Sequence, residues 1–195
     1  MTSSRKWLAL FVSALVASPI FVFLHELGHY AAGAFLGFSV KLHYGQVTGT
    51  MPKEAIVWRG DAVQASAGPL VQAVLALTGF VWLRRLRQHR REATATTRDW
   101  LATITIVLNA GPWFRGIAEP LGSSQLVDEA LVSEASGPPA WLLPCLLGFL
   151  AVIAIFATIQ LHPPGNRLLP FVCVGLGGAI GFFAWIRIVG PFLLP

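Results

Sequence analysis

Three ionisable residues stand close together at His25, Glu26 and His29, inside the apolar stretch PIFVFLHELGHYAAGAFLGF of residues 19–38. On an α-helix, residues four apart differ by only about 40° in angular position, so the two imidazoles face the same way. Two histidines at this spacing can ligate one zinc ion, and the adjacent carboxylate can accept a proton from a zinc-activated water. The pattern predicts a hydrolytic zinc centre with His25 and His29 as metal ligands and Glu26 as the catalytic base.

The apolar surroundings of these residues favour the metal interpretation. A charged side chain near the centre of a bilayer costs about 2.5–3.5 kcal/mol on insertion scales, so ionisable groups there need partners. A zinc ion supplies partners for all three groups at once. The alternative is a structural network in which the histidines and the glutamate hydrogen-bond to one another.

The composition predicts an integral membrane protein. The chain has 195 residues, of which 55% are hydrophobic and 12% charged, and this charged share is about half that of a typical soluble protein. Several apolar runs approach the ~20 residues that cross a bilayer. The net charge of +5 does not indicate nucleic-acid binding, because its arginines crowd into one short loop instead of a soluble basic face. The expected partner is the lipid bilayer, with no nucleic acid.

Five apolar segments predict five transmembrane helices. The first runs from about residue 7 to 38, too long for the alternative of a cleaved secretory signal. The others cover residues 65–83, 100–117, 140–161 and 168–189.

Between the first two helices, the alternating pieces VKLHY and AIVWR predict a hairpin or small sheet. The predicted fold is an all-α polytopic membrane protein with a small β-hairpin or sheet after the first helix. We expect a single domain over residues 1–195, with a zinc core at about 7–136 and additional helices at about 140–189.

The distribution of basic residues predicts the orientation in the membrane. The loop after the second predicted helix contains Arg84, Arg85, Arg87, Arg90 and Arg91. Loops rich in arginine and lysine stay on the cytoplasmic side. We therefore expect a cytoplasmic amino terminus, and the cell membrane as the location.

A catalytic zinc ion takes three protein ligands and a water, so one further ligand is needed. The histidine pair lies in the later half of the first predicted helix, and the chain returns to that side of the membrane only after the third. Asp99 starts the third helix on the opposite side of the membrane, which argues against Asp99 as the third zinc ligand. Asp128 is the favoured ligand, and the alternatives are Glu129, Glu119 and His43. For Glu134, solvation of a surface helix is the better interpretation.

The segment HELGHYAAGAFLG resembles the motif helix of site-2-protease-like intramembrane zinc metalloproteases. The segment ASAGPLVQAVLAL is similar to the Gly-Pro entry to that family's next helix, and the likeness covers roughly residues 15–130. The family's aspartate motif is an Asn-Pro-rich segment leading to Leu-Asp-Gly. This chain departs from it, with Asn109, Pro112 and then SSQLVDEA, in which glutamate follows Asp128.

The resemblance implies an endopeptidase that cleaves membrane-anchored proteins. It implies one zinc ion per chain, held by two histidines and a distant aspartate, here Asp128, with the motif glutamate as the base. It also places Gly68 and Pro69 near the substrate. Asn109 could hydrogen-bond a substrate strand or the zinc water, or only cap neighbouring helix backbone.

A second class of function fits the same residues. A non-proteolytic membrane protein could keep the zinc for structure or ion handling, or serve as a scaffold that binds a partner helix. The two classes differ at Glu26, because a structural zinc site needs the histidines but not the glutamate.

Overall fold

Most of the chain folds into helices, as the sequence predicts. The computed structural model describes residues 3–50, 60–89, 95–114, 128, 132, 137, 139, 141–163 and 167–194. Within them, four helices are long and apolar enough to cross a membrane: Arg5–Phe35, Gly60–Gln88, Leu142–Leu161 and Leu168–Leu193. A small antiparallel sheet follows the first helix. The predicted fold class is confirmed.

The first helix, α1, spans Ser3–Phe35 and continues through Pro19. It ends at a turn in which Gly37 has a φ of 79°, a conformation that costs glycine little because it has no Cβ. Strand β1, Ser39–Leu42, then pairs with β2, Val47–Thr50, so that Ser39 lies opposite Thr50. The second strand comes earlier than the predicted piece AIVWR, whose residues 55–59 lie outside the described part of the chain.

Helix α2 spans Gly60–His89 and helix α3 spans Thr97–Ala110. Helix α3 is followed by a 3₁₀ turn over Gly111–Phe114. At 14 residues, α3 is about 21 Å long, which is shorter than a bilayer core of about 30 Å. The Gly111–Pro112 pair marks its end, so the third predicted crossing is a short helix with an irregular end.

Helix α4 spans Leu142–Leu161, and helix α5 spans Leu168–Ala184. Helix α5 continues as a π-helical turn over Trp185–Val189 and a final turn, α6, over Gly190–Leu193. The indole N–H of Trp185 donates a hydrogen bond to the carbonyl of Tyr44, 2.5 Å away. This contact joins the end of α5 to the turn of the hairpin.

Helices α1 and α5 pack with their backbones close together. A methyl group on Gly181 would overlap the carbonyl of Leu15 in α1. In a regular helix the N–H of residue 19 would donate a hydrogen bond to the carbonyl of Leu15, but Pro19 has no N–H. The glycine lets α5 approach this carbonyl, where a Cα–H contact can form.

Helix α3 lies at the centre and packs against α1, α2, α4 and α5. A cavity of about 940 Å³ lies at its carboxyl end, where Val107, Leu108, Gly111 and Pro112 line it. Helices α1, α2 and α5, the hairpin turn and Ile155 of α4 supply other lining residues. The short α3 therefore leaves a space among longer helices, and this space is called the cavity below.

A buried polar contact holds the other end of α3. An Arg87 Nη2 lies 3.4 Å from Asp99 Oδ2, and Asp99 also accepts hydrogen bonds from the backbone and hydroxyl of Thr96. Thr103 Oγ1 lies 2.8 Å from His162 Nε2, and Trp100 stacks on the same ring. These contacts fix the ends of α2, α3 and α4 relative to one another.

Candidate metal centre

The candidate metal centre, called the metal centre below, consists of His25, His29 and Asp128, whose side chains meet at the cavity. The Nε2 atoms of His25 and His29 are 3.0 Å apart. Asp128 Oδ2 lies 3.2 Å from each of them. Among the described residues, this is the one group of three or more His, Cys, Asp or Glu side chains close enough together to hold a metal ion.

These three distances fit the ligand shell of a zinc ion. Zinc binds histidine nitrogen at about 2.0–2.1 Å and carboxylate oxygen at about 2.0–2.2 Å in tetrahedral geometry. Ligand atoms on such a shell are therefore about 3.3–3.4 Å apart. The observed separations of 3.0 and 3.2 Å require only a small outward movement to reach it.

The hydrogen bond of His29 also suits metal binding. Its Nδ1 lies 2.8 Å from the backbone carbonyl of Gln64, which can only accept, so the proton is assigned to Nδ1. The Nε2 atom then carries a lone pair directed at His25 and Asp128 in the neutral ring. Metal-binding histidines commonly donate their other N–H to a carbonyl in this way.

Comparison with protein-family models, curated proteins and solved structures finds no match to this chain. The case for the metal centre therefore comes from its own side chains. Two imidazole nitrogens and a carboxylate oxygen are donor atoms that zinc prefers.

The side chain of Asp128 is more exposed than those of the two histidines: about a third of it, 32%, is exposed. Burial alone would raise the pKa of Asp128, but the hydrogen bonds to His25 and His29 outweigh it and hold this pKa below its ordinary range. Asp128 is therefore a carboxylate at neutral pH, the form that binds metal.

Glu26 is buried beside the two histidines, with 8% of its surface exposed, and it lines the cavity. The structure thus places the predicted base at the same cavity as the predicted ligands. Its catalytic role stays a prediction.

Helix α2 approaches the metal centre at Gly68. A Cβ built on Gly68 would lie 2.7 Å from the Nε2 atom of His25 and would overlap the ring of His29. At this position of α2, only glycine leaves enough room for the two imidazoles. Pro69 is buried next to it.

Asn109 has a different environment from the one predicted for a substrate ligand. It is fully buried, its side-chain N–H donates to the carbonyl of Thr105 at 2.7 Å, and it is not among the residues that line the cavity. This contact corresponds to the backbone-capping alternative, and a role in substrate binding stays a prediction.

The alternative third ligands do not enter the group that the structure describes. His43 lies in the hairpin loop, where its Nε2 is 3.0 Å from Thr48 Oγ1. Glu119, Glu129 and Glu134 lie outside the described residues.

Sequence reasoning missed several polar residues that line the cavity. Gln64 and Gln72 flank Gly68 at four residues on either side, so they share its face of α2, and Ser18 lies seven residues before His25 on α1. The available signal was helical spacing of polar residues within apolar runs. These residues are Ser18, Asp61, Gln64 and Gln72.

Proposed function

We propose that the protein is a zinc-dependent intramembrane endopeptidase that cleaves membrane-anchored protein substrates. One observation carries the proposal: two imidazole nitrogens and a carboxylate oxygen lie within 3.2 Å of one another, beside a buried glutamate and a cavity among apolar helices. The resemblance of HELGHYAAGAFLG to site-2-protease-like metalloproteases, which includes His25, Glu26 and His29, agrees with this proposal.

The residues of the site have separate roles in this proposal. His25, His29 and Asp128 would hold one zinc ion, which supplies Lewis-acid activation of water and of the peptide carbonyl. Glu26 accepts the proton of the attacking water and then passes it to the leaving amine. Burial of Glu26 keeps bulk water from competing for that proton.

A membrane-anchored segment suits the cavity, because helices α1, α3 and α5 line it with apolar side chains such as Phe21, Val107 and Phe182. A helical substrate must unwind locally to expose its scissile peptide. Val47 of β2 and the hairpin turn line the cavity, and the backbone of the hairpin could pair with the unwound segment by strand addition. The proposed orientation keeps the amino terminus in the cytoplasm, with the protein in the cell membrane.

Replacing Glu26 with glutamine tests the proposal against a structural or ion-handling zinc site. Glu26→Gln keeps the size of the side chain but removes the base, so bound zinc should stay near one per chain. Cleavage of a membrane-anchored substrate should fall by about a hundredfold or more.

Asp61→Asn is the matched control, because Asp61 is an exposed acid that lines the same cavity. It should leave cleavage nearly unchanged. A Glu26→Gln protein that keeps full cellular function, while the histidine variants lose it, would instead favour the structural zinc site.

A further inference from the structure

We propose that helix α2 carries a binding site for the backbone of the unwound substrate, formed by the carbonyl of Ala65 and the side-chain amide of Gln72. This inference rests on the proposed function and specifies how the substrate is held. Both residues line the cavity. The buried Gly68 lies between them in sequence and touches the metal centre.

Pro69 makes the carbonyl of Ala65 available. In an α-helix the carbonyl of residue 65 accepts the N–H of residue 69, but proline has no N–H. Pro69 lies inside α2, so the Ala65 oxygen lacks its regular helical donor, and Ala65 is one of the residues that line the cavity. A substrate N–H can take that place.

Gln72 provides the second group. Its side chain is more than nine-tenths buried, with 7% exposed, and it lines the cavity. No hydrogen bond links its amide to another residue within the described part of the chain. A side-chain amide has both donors and an acceptor, so it can pair with a peptide group.

An unwound segment in a membrane needs these groups. Once its helix opens, its N–H and C=O groups lose their internal partners, and each unsatisfied group in an apolar environment costs free energy. Much of the cavity wall is apolar, with Phe21, Val22, Leu108 and Phe183 among its residues. The polar face of α2 can replace the lost hydrogen bonds.

The spacing along α2 also matches an extended peptide. Gly68, at the metal, and Gln72 are four residues apart, which is about 6 Å along a helix. Two residues of an extended strand cover about 6.6–6.8 Å. With its scissile peptide at the metal, a strand running along α2 would place the residue about two positions away beside Gln72.

Peptide hydroxamates that chelate zinc can measure this site without turnover. The probes are one parent peptide hydroxamate and its derivatives with each backbone amide N-methylated in turn. Their dissociation constants are measured with the zinc-loaded full-length protein in detergent. In wild type, methylation of one amide should weaken binding about three- to tenfold, the usual contribution of one hydrogen bond.

Two variants connect that effect to α2. Pro69→Ala restores the N–H that occupies the Ala65 carbonyl, so the same methylation should then change binding less than about twofold. Gln72→Met keeps the length of the side chain but removes the amide, and should weaken the parent probe about three- to tenfold with unchanged zinc content. Leu77→Ala on the exposed face of α2 is the control and should change nothing.

The outcomes separate this inference from the proposed function. If the parent probe binds wild type but no methylation affects it, or if Pro69→Ala leaves the methylation effect intact, the backbone site is refuted while the metal centre stands. If Gln72→Met binds the parent probe as wild type does, Gln72 has no part in the site. If no probe binds zinc-loaded wild type, the proposed function fails and this inference fails with it.

Discussion

Replacing Gly68 with alanine should weaken zinc binding by about a hundredfold or more while leaving the helices folded. The added Cβ would lie 2.7 Å from both Cε1 and Nε2 of His25 and would overlap the ring of His29. The normal contact distance between such atoms is about 3.5–4.0 Å. The rings or helix α2 must therefore move by about 0.8 Å or more.

A movement of that size is large for a metal centre. Zinc sites keep their ligand distances within about 0.2 Å of the ideal values. Even the loss of a residue that only supports a ligand costs about 10–100-fold in metal affinity. Displacing two of three ligands should cost at least that much, so we expect Gly68→Ala to weaken zinc binding by about a hundredfold or more.

Gly175→Ala is the matched control. Gly175 also lies in a helix and lines the same cavity, but a Cβ built on it meets no atom within 4 Å. Alanine is favoured over glycine in a helix by about 0.5–1 kcal/mol, so both variants gain this local term and only Gly68→Ala collides with the histidines.

The assay is competition with a fluorescent zinc chelator for both purified variants in detergent, with circular dichroism to check helix content. Wild-type zinc affinity in Gly68→Ala, with unchanged helix content, would contradict the close approach of α2 to the histidines. Equal losses in both variants would show that any added methyl in the cavity disturbs binding, which also contradicts this reasoning.

Three further predictions concern the third ligand, the orientation and the buried polar end of α3. Asp128→Asn should weaken zinc binding by about 10–100-fold or more, measured by chelator competition, and Glu129→Gln should have a much smaller effect. A cysteine at position 88 should not react with an impermeant thiol reagent applied to intact cells. A cysteine at position 53 should react unless it is folded into the site. Labelling at position 88 would show that the topology is the reverse of the proposed one. Burial, and then the Arg87 charge, lower the pKa of His162 to about 4 from an ordinary 6.5, so the unfolded chain binds more protons than the folded one between these values. Stability should therefore fall as the pH drops from about 6.5 towards 4, and His162→Gln should flatten this dependence of the melting temperature.

The parts of the fold that depend on local sequence could be predicted. Long apolar runs define α1, α2, α4 and α5, because a bilayer requires about 20 apolar residues per crossing. The pair His25 and His29 follows from the 3.6-residue period of one helix. Local spacing is enough for both.

Contacts between distant parts of the chain could not be predicted in the same way. Asp128 is 103 residues from His25, and the side of the membrane narrowed the choice to several acids before the resemblance pointed to one. The approach of Gly68 to the imidazoles depends on the packing of α1 against α2, which no spacing within either helix specifies. Strand β2 lies at Val47–Thr50, a segment that the alternating pattern did not single out, and the predicted piece at residues 55–59 lies outside the described part of the chain.

Asn109 and Gln72 show the same limit for polar residues. Both lie in apolar helices, but Asn109 bonds to its own helix backbone and Gln72 lines the cavity. From the sequence alone, either residue could be expected to hydrogen-bond a substrate. Only the way in which the helices pack decides which side chain faces the cavity.

A zinc titration of peptidase activity tests the central claim most directly. Purified protein is stripped of metal with a chelator, zinc is returned in known amounts, and hydrolysis of a membrane-anchored peptide is followed at each step. The proposal predicts no cleavage without metal, a linear rise with added zinc, and a plateau at about one zinc ion per chain. Stoichiometric zinc binding with no cleavage of any membrane-anchored peptide, or cleavage that persists without metal, would contradict it.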